Sequence, residues 1–117
     1  METTSLLLWG IVSHLIADWL LQNDWMAKNK VNLLHPAAWV HGAIHFVVML
    51  FVFIWPLALF IAVLHIIVDE RTILRNWSKF YKQTTDGPYA IHVSIWLDQV
   101  THIVVIAGAA LIQSRSL

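Results

Sequence analysis

Residues of metal-ligand type stand in pairs, four residues apart, inside segments that are otherwise almost wholly apolar, and this occurs four times along the chain. Because four residues are close to one helical turn, both members of a pair lie on the same face of a helix. An Asp at the centre of a membrane helix costs about 2.5 to 3.5 kcal/mol on insertion scales, so three of them need a shared explanation. The pairs are His14 and Asp18, His41 and His45, His65 and Asp69, and Asp98 and His102.

Composition favours a membrane protein over a water-soluble one. Apolar residues make up 59% of the 117 residues, charged residues make up only 12%, and the mean hydropathy is +0.69. These values predict a single transmembrane domain over 1–117. A net charge of zero gives no electrostatic reason to expect nucleic acid as a partner, and the lipid bilayer is the predicted one. The absence of Cys excludes disulfides and thiolate metal ligands.

Four apolar segments predict an all-α polytopic membrane protein with four transmembrane helices in a bundle. Each segment has about 18 to 22 residues and would span roughly 27 to 33 Å as a helix, which matches a bilayer core of about 30 Å. Pro36 and Pro56 fit the first turns of the second and third helices, where a missing N–H costs little. Since Trp55 and Pro56 adjoin, we expect a tight hairpin there. The predicted spans are 5–22, 37–55, 56–74 and 91–112.

Basic residues are concentrated in two loops on one side of the predicted bundle. Of the seven Lys and Arg residues, only Arg115 falls on the other side. The positive-inside rule then places both loops in the cytoplasm and both termini outside, and the inner (cytoplasmic) membrane is the expected location. The segment 76–85 could lie along the membrane interface. The basic loop residues are Lys28, Lys30, Arg71, Arg75, Lys79 and Lys82.

The two halves of the chain resemble each other. The segments 14–18 and 65–69 are near copies with the pattern His-x-x-x-Asp, and each is followed by a basic loop and a second spaced pair. We therefore predict two repeated helical hairpins, over about 5–55 and about 56–112, with the first span across from the third and the second across from the fourth. Chance similarity between short apolar segments is the alternative.

The eight paired residues fall at one depth in the predicted bilayer, in a shallow layer and a layer one turn deeper. Three carboxylates at one depth would repel one another or take up protons, and no Lys or Arg is expected in the inner parts of the spans. For any single His or Asp an interhelical hydrogen bond is the simpler explanation, but eight together favour a metal centre. We predict that all eight bind divalent transition metal, Zn, Fe or Mn, as one or two ions.

Other polar residues are assigned different roles. Gln22 lies one turn beyond the first pair and Gln99 adjoins the fourth, so each could donate a hydrogen bond to a ligand, although Gln22 could equally face lipid headgroups. His35 and His92 are rotated off the paired faces and are expected to face the solvated interface. Gly42 would allow two helices to approach closely.

One block near the N-terminus follows a more specific pattern: His-x-x-x-Asp, an aromatic residue, two apolar residues and Gln, then Trp-Met-Ala and Lys. Its residues are His14, Asp18, Trp19, Gln22, Trp25, Met26, Ala27 and Lys28. This block, with the three later pairs and Gln99, resembles the bacterial and phage membrane family called domain of unknown function 3307. The resemblance covers nearly the whole chain and implies a membrane location, but no activity. Where the family often has a Lys after the third pair, this chain has Glu70 and Arg71.

Several functions are compatible with these observations. The leading hypothesis is a membrane metal-dependent hydrolase near the cytoplasmic leaflet, acting on a lipid-like or membrane-proximal substrate, with an Asp not bound to metal as base. A looser likeness to small membrane proteins described by prediction as metal-dependent hydrolases is analogy only. A metal-ion carrier should show polar residues in the outer halves of the spans, which are nearly devoid of them, and a haem anchor fits the Asp partners poorly. A non-catalytic structural subunit is the remaining alternative, and the oligomeric state is not predicted.

Overall fold

The computed structural model describes residues 2–116, which form six α-helices and, over that range, no β-strand. The all-α class predicted from the sequence is therefore confirmed. The first helix continues without a break into one π-helical turn, Ile16–Leu20. The helices are α1 (Thr3–Leu15), α2 (Asp24–Asn29), α3 (Pro36–Met49), α4 (Trp55–Asp69), α5 (Thr72–Phe80) and α6 (Ala90–Ser116).

Four of these helices surround a common interior. Both α1 and α4 pack against α3 and against α6, which places α1 across from α4 and α3 across from α6. The most extensive contact joins α3 to α4, the two helices that a short turn connects. This neighbour order is the one that the predicted repeat requires, while the repeat itself stays a prediction.

A hydrophobic core fills one end of this interior. It begins about one turn beyond the paired histidines, because Met49 follows His45 by four residues and Ile106 follows His102 by four. The buried members of this core are Leu6, Met49, Phe53, Ala58, Ile61, Ile106, Ala109 and Ala110. The polar pairs and the hydrophobic core thus occupy successive layers of the same four helices.

Two glycines allow the helices to approach closely. A Cβ atom at Gly42 would collide with the side chain of Ile66, which lies on α4. A Cβ atom at Gly10 would collide with Ile106 and crowd Phe53. The close approach expected at Gly42 is therefore present, and it brings α3 against α4 next to the paired residues.

Among residues 2–116, two helical segments and not the predicted four are long and apolar enough to cross a membrane by length and composition: Thr3–Leu20 and Ala90–Ser116. The predicted second span ends early because the chain turns at 50–54. The predicted third span ends at Asp69, since Arg71 adopts a left-handed conformation with φ of 81° and starts a new helix. As a result α3 and α4 have 14 and 15 residues. The apolar pattern runs on past both turns, so the sequence predicted longer helices.

The helix starts that the prolines predict agree with the structure. Pro36 and Pro56 lie in the first turns of α3 and α4, as predicted. Gly87 has φ of 83° in the turn before α6, a conformation that glycine adopts without strain. Part of the segment 76–85, which is predicted to lie along the membrane interface, belongs to α5, and this helix begins earlier, at Thr72.

Candidate metal centre

Eight buried side chains from α1, its π-helical turn, α3, α4 and α6 meet in one group, which we call the His/Asp cluster. Asp98 is the most accessible of them with 4% exposure, and His45 is completely buried. The structure thus brings together all eight residues that the sequence placed at one depth. The His/Asp cluster consists of His14, Asp18, His41, His45, His65, Asp69, Asp98 and His102.

One half of the cluster is centred on the Asp18 carboxylate. Its Oδ1 atom lies 3.0 Å from His41 Nε2 and 3.2 Å from His45 Nε2. His65 Nε2 lies 3.5 Å from the same oxygen and 3.0 Å from His41 Nε2. The rings of His45 and His65 stack with centroids 3.5 Å apart, which holds both imidazoles edge-on to the carboxylate. Three nitrogens and one oxygen therefore converge on a single point.

The other half is centred on the Asp69 carboxylate. His65 Nε2 lies 2.9 Å from Asp69 Oδ2, and His102 Nε2 lies 3.3 Å from Asp69 Oδ1. His102 Nε2 also lies 3.3 Å from Asp98 Oδ1. His65 stacks on His102 at 4.1 Å and so belongs to both halves. The shared imidazole makes the cluster continuous from Asp18 to Asp98.

The backbone positions the first pair differently from the third. Asp18 lies in the π-helical turn, where the N–H of Leu21 donates to the carbonyl oxygen of Ile16, five residues back. This wider turn rotates Asp18 relative to His14, and their closest side-chain distance is 3.6 Å, against 2.9 Å between His65 and Asp69 in the regular helix α4. Single π-helical turns within α-helices are frequent at functional sites. The sequence pattern, read with an α-helical period, did not predict this turn.

Gln99 links the two halves through hydrogen bonds. Its side-chain amide donates to Asp18 Oδ2 and to Asp98 Oδ2, both at 3.1 Å. Its carbonyl oxygen lies 3.0 Å from His14 Nε2, which is the donor because an amide oxygen only accepts. Gln99 therefore orients two carboxylates and one imidazole, as expected of a side chain that supports ligands. Gln22, by contrast, has a buried side-chain oxygen with no hydrogen-bond partner among residues 2–116.

A basic residue, Lys30, contacts the His/Asp cluster. Lys30 follows α2, and its Nζ atom lies 3.7 Å from Asp69 Oδ2. The Lys30 side chain is 14% exposed, whereas Asp69 is 1% exposed. No Lys or Arg was expected in the inner parts of the spans, and Lys30 reaches Asp69 from the loop after α2 instead. Hydropathy assigns Lys30 to a loop and gives no signal for this contact.

The separations between the cluster atoms suit a metal ion. Atoms bound to one tetrahedral ion at about 2.0 to 2.1 Å lie about 3.3 Å from one another. The distances around Asp18 Oδ1 and Asp69 are 2.9 to 3.5 Å. Two groups of buried side chains have ligand atoms that all lie within 4.8 Å of one another and could hold an ion: Asp18, His41, His45 and His65, and His65, Asp69 and His102.

Hydrogen bonding alone leaves part of the cluster unexplained. His41 Nε2 and His65 Nε2 face each other, and a pair of neutral imidazoles can share only one proton there. Asp69 Oδ2 lies close to His65 Nε2 but has no aligned hydrogen bond within the described range, and Asp98 Oδ1 and the Nδ1 atoms of His41 and His45 also lack one. Buried polar atoms without partners are rare, and a bound ion or water is a usual reason for them.

The two groups differ in their ligand sets. The first offers three imidazoles and one carboxylate, enough to close a four-coordinate site. The second offers two imidazoles and one carboxylate, which leaves positions open. Since His65 offers one Nε2 atom to both, the groups compete for it. The other two members of the cluster, His14 and Asp98, belong to neither group. His14 contacts Asp18 and Gln99, and Asp98 contacts Gln99 and His102.

The two histidines that the sequence set apart lie outside the cluster. His35 caps α3, where its Nδ1 accepts a hydrogen bond from the N–H of Ala37 at 3.0 Å, and its ring packs against Trp25. His92 is exposed near the start of α6. Neither ring therefore contributes to the candidate site.

Fold and site together define an all-α protein with two helices of membrane-spanning length and a buried His/Asp cluster that could hold a metal ion. The sequence model of the family described as "Protein of unknown function (DUF3307)" matches residues 6–116. The chain belongs to that family, and the resemblance seen in its first block is confirmed. No curated protein and no solved structure matches the chain.

Proposed function

We propose that the protein is an integral membrane protein whose His/Asp cluster binds one or two divalent transition-metal ions, Zn, Fe or Mn. The observation that carries the proposal is the convergence of imidazole and carboxylate atoms on Asp18 and Asp69 at separations of 2.9 to 3.5 Å. Mixed imidazole and carboxylate donors suit these metals. We propose at least one ion. Because the two groups share His65, a second ion would be bound mainly by Asp69 and His102.

The distribution of polar and apolar residues supports a membrane location. The interior holds eight His and Asp side chains, whereas large apolar side chains are exposed along all four long helices, among them Trp9, Val47, Phe60 and Val104. Exposed apolar surface on this scale is uncommon in water-soluble monomers. As helices, α3 and α4 extend about 21 to 23 Å, and the apolar turn at 50–54 adds to both. Local thinning of the bilayer accommodates such short spans, so four crossings remain our proposal.

The proposed activity is hydrolysis of a lipid-like or membrane-proximal substrate. A bound divalent ion supplies a water of lowered pKa and polarises the bond to be cleaved. Asp98 is the carboxylate left outside both ligand groups, and its Oδ1 atom is free of hydrogen bonds to residues 2–116. Gln99 holds the other oxygen of Asp98 at 3.1 Å. Asp98 is therefore placed to accept a proton from a water, and Gln99 to orient it.

A structural metal centre is the second candidate, and the burial of the cluster favours it. All eight side chains are at most 4% exposed, and a closed site is typical of metals that stabilise a fold. A carrier across the membrane is less well supported, because the hydrophobic core lies directly beyond the cluster on the side away from the basic loops.

The test of metal binding is elemental analysis of protein purified in mild detergent, together with thermal unfolding with and without a chelator. We expect at least one ion per chain and a lower unfolding temperature after chelation, since a ligand that binds only the folded state stabilises it. Asp69→Ala should lower the metal content and remove the response to chelator. His92→Ala, an exposed histidine of α6, is the matched control and should change neither. A wild type that contains no metal and unfolds at the same temperature with and without a chelator would refute the metal centre.

A second measurement separates catalysis from structure. Metal-loaded protein is assayed for hydrolysis of a p-nitrophenyl ester and a p-nitrophenyl phosphodiester. If Asp98 acts as base, Asp98→Asn should lose turnover by about 10² or more while keeping its metal content. Stoichiometric metal without turnover of either compound, and with every ligand variant merely less stable, would instead favour the structural centre.

A further inference from the structure

A cavity of about 230 Å³ lies between α5 and α6, apart from the His/Asp cluster. Its lining includes three basic side chains: Arg75 and Lys79, which share one face of α5, and Arg71, which immediately precedes that helix. The hydroxyl groups of Ser78 and Ser94 belong to the same lining. We call this cavity the basic pocket.

The positive charge of the basic pocket is not neutralised within the described chain. None of its three basic side chains has an Asp or Glu oxygen within 4.0 Å among residues 2–116. Arg71 instead donates to Ser94 Oγ at 2.8 Å, and Arg75 donates to the Thr72 hydroxyl at 3.3 Å. The pocket thus combines several free N–H donors with positive charges that no described carboxylate contacts directly, which is the chemistry that recognises phosphate.

Glu70, which adjoins Arg71 in the sequence, is held outside the pocket by other hydrogen bonds. Glu70 accepts hydrogen bonds from the hydroxyl group and the backbone N–H of Thr72, at 2.7 and 3.2 Å. These two bonds, together with the charge of Arg75, hold the pKa of Glu70 below its ordinary value. Its carboxylate therefore stays ionised and fixed at the start of α5, and it does not fill the pocket.

The opposite face of α5 indicates where the phosphate comes from. Ile73, Trp77 and Phe80 are exposed and follow one another at intervals of four and three residues, which puts them on one stripe about half a turn away from the basic side chains. A helix with one apolar face and one basic face lies in the plane of a membrane interface. Bulky apolar side chains on α5 would contact acyl chains while its basic face meets headgroups.

We propose that the basic pocket binds the phosphate of an anionic phospholipid headgroup. The volume of about 230 Å³ lies below the 300 to 1,000 Å³ typical of sites for drug-sized ligands, which suits a small headgroup rather than a nucleotide. Ser94 lies one helical turn before Asp98 on α6, so the bound headgroup would lie next to the His/Asp cluster. The inference rests on the proposed membrane location but not on the metal centre.

The test uses the full chain in lipid nanodiscs or mild detergent and measures retained lipid by native mass spectrometry. Phosphatidylglycerol and phosphatidylcholine are the lipid probes, and inorganic phosphate at matched ionic strength is the third. We expect the wild type to retain phosphatidylglycerol in preference to phosphatidylcholine. The double substitution Arg75→Gln with Lys79→Gln changes two exposed side chains that carry little of the packing.

The control removes the same charge from outside the pocket, by Lys28→Gln with Lys82→Gln. Each surface charge contributes about fivefold to the attraction of anionic lipid, so both double variants should lose that general term. The affinity of the pocket variant for phosphatidylglycerol should fall at least tenfold further than that of the control. Equal losses, or a wild type that does not distinguish the two lipids, would overturn the inference while leaving a membrane-embedded protein. Binding of inorganic phosphate alone, without a lipid preference, would overturn the lipid assignment. A protein that stays soluble without detergent would instead refute the membrane location.

Discussion

Replacing Lys30 by Met should destabilise the metal-free protein and raise its affinity for metal. Among residues 2–116 Lys30 is the one Lys or Arg within 4.0 Å of Asp69, with its ammonium 3.7 Å from the carboxylate. A unit charge pair at this distance interacts by about 4 kcal/mol at an effective dielectric constant of 20. Part of that is offset by desolvation, and Asp69 keeps imidazole contacts with His65 and His102. We therefore expect the metal-free variant to be less stable by about 2 kcal/mol.

Metal affinity should rise by a similar free energy. A divalent ion bound at Asp69 takes over the neutralisation that Lys30 provides, so the metal-loaded variant loses little stability. It also escapes repulsion from the nearby ammonium group. The difference of about 2 kcal/mol corresponds to roughly 30-fold tighter binding of the metal. For a chain of this size the unfolding temperature of the chelated variant should fall by about 5 to 10 °C.

Metal titration of chelated protein, followed by thermal unfolding, measures both quantities. Lys28→Met is the matched control, because it removes an equal charge two residues away, in the last turn of α2, and Lys28 is exposed with no carboxylate within 4.0 Å in the described range. It should change neither the affinity nor the chelator response. Weaker metal binding in Lys30→Met, or a response equal to that of Lys28→Met, would show that Lys30 does not compete with the ion.

Three further predictions follow from the packing and the topology. His65→Ala should reduce metal content more than His45→Ala, because His65 offers a ligand atom to both groups and His45 to one; equal losses by elemental analysis would contradict a shared ligand. Gly42→Ala should destabilise the protein by about 1 to 3 kcal/mol, since the new methyl group meets Ile66. Gly108→Ala, where a Cβ atom has open space, should instead be neutral or slightly stabilising in the same unfolding assay. A reporter enzyme that is active only outside the cytoplasm should be active when it is fused to the C-terminus. Activity there of a reporter that works only in the cytoplasm would overturn the charge-based topology.

The position of the His/Asp cluster could be predicted from the sequence because helical periodicity and hydropathy both bear on it. Spacing of four residues put His65 and Asp69 on one face, and they lie 2.9 Å apart in α4. Apolar flanks predicted burial, and the paired residues are buried. The same periodicity failed at Asp18, where the π-helical turn changes the angle between successive residues. Periodicity cannot reveal such a turn, since no residue type is specific for it.

Helix ends and contacts from loops were the features that sequence could not supply. The turn at 50–54 consists of apolar residues, so hydropathy continues through it. The end of α4 depends on the left-handed conformation of Arg71, and arginine carries no signal for such a conformation. Lys30 was assigned correctly to a loop, yet its contact with Asp69 depends on where α2 packs against α3. These features are set by tertiary packing, which a local pattern does not encode.

The layers around the His/Asp cluster restrict how an ion could reach it. On one side a hydrophobic core of buried apolar side chains begins a single turn away, at Met49 and Ile106. On the other side Lys30 contacts Asp69 while retaining 14% exposure. Within the described chain Lys30 is thus both in contact with the cluster and accessible from outside. If an ion enters from the side of the basic loops, we expect it to displace the Lys30 ammonium from Asp69, the same contact that we predict to stabilise the metal-free protein.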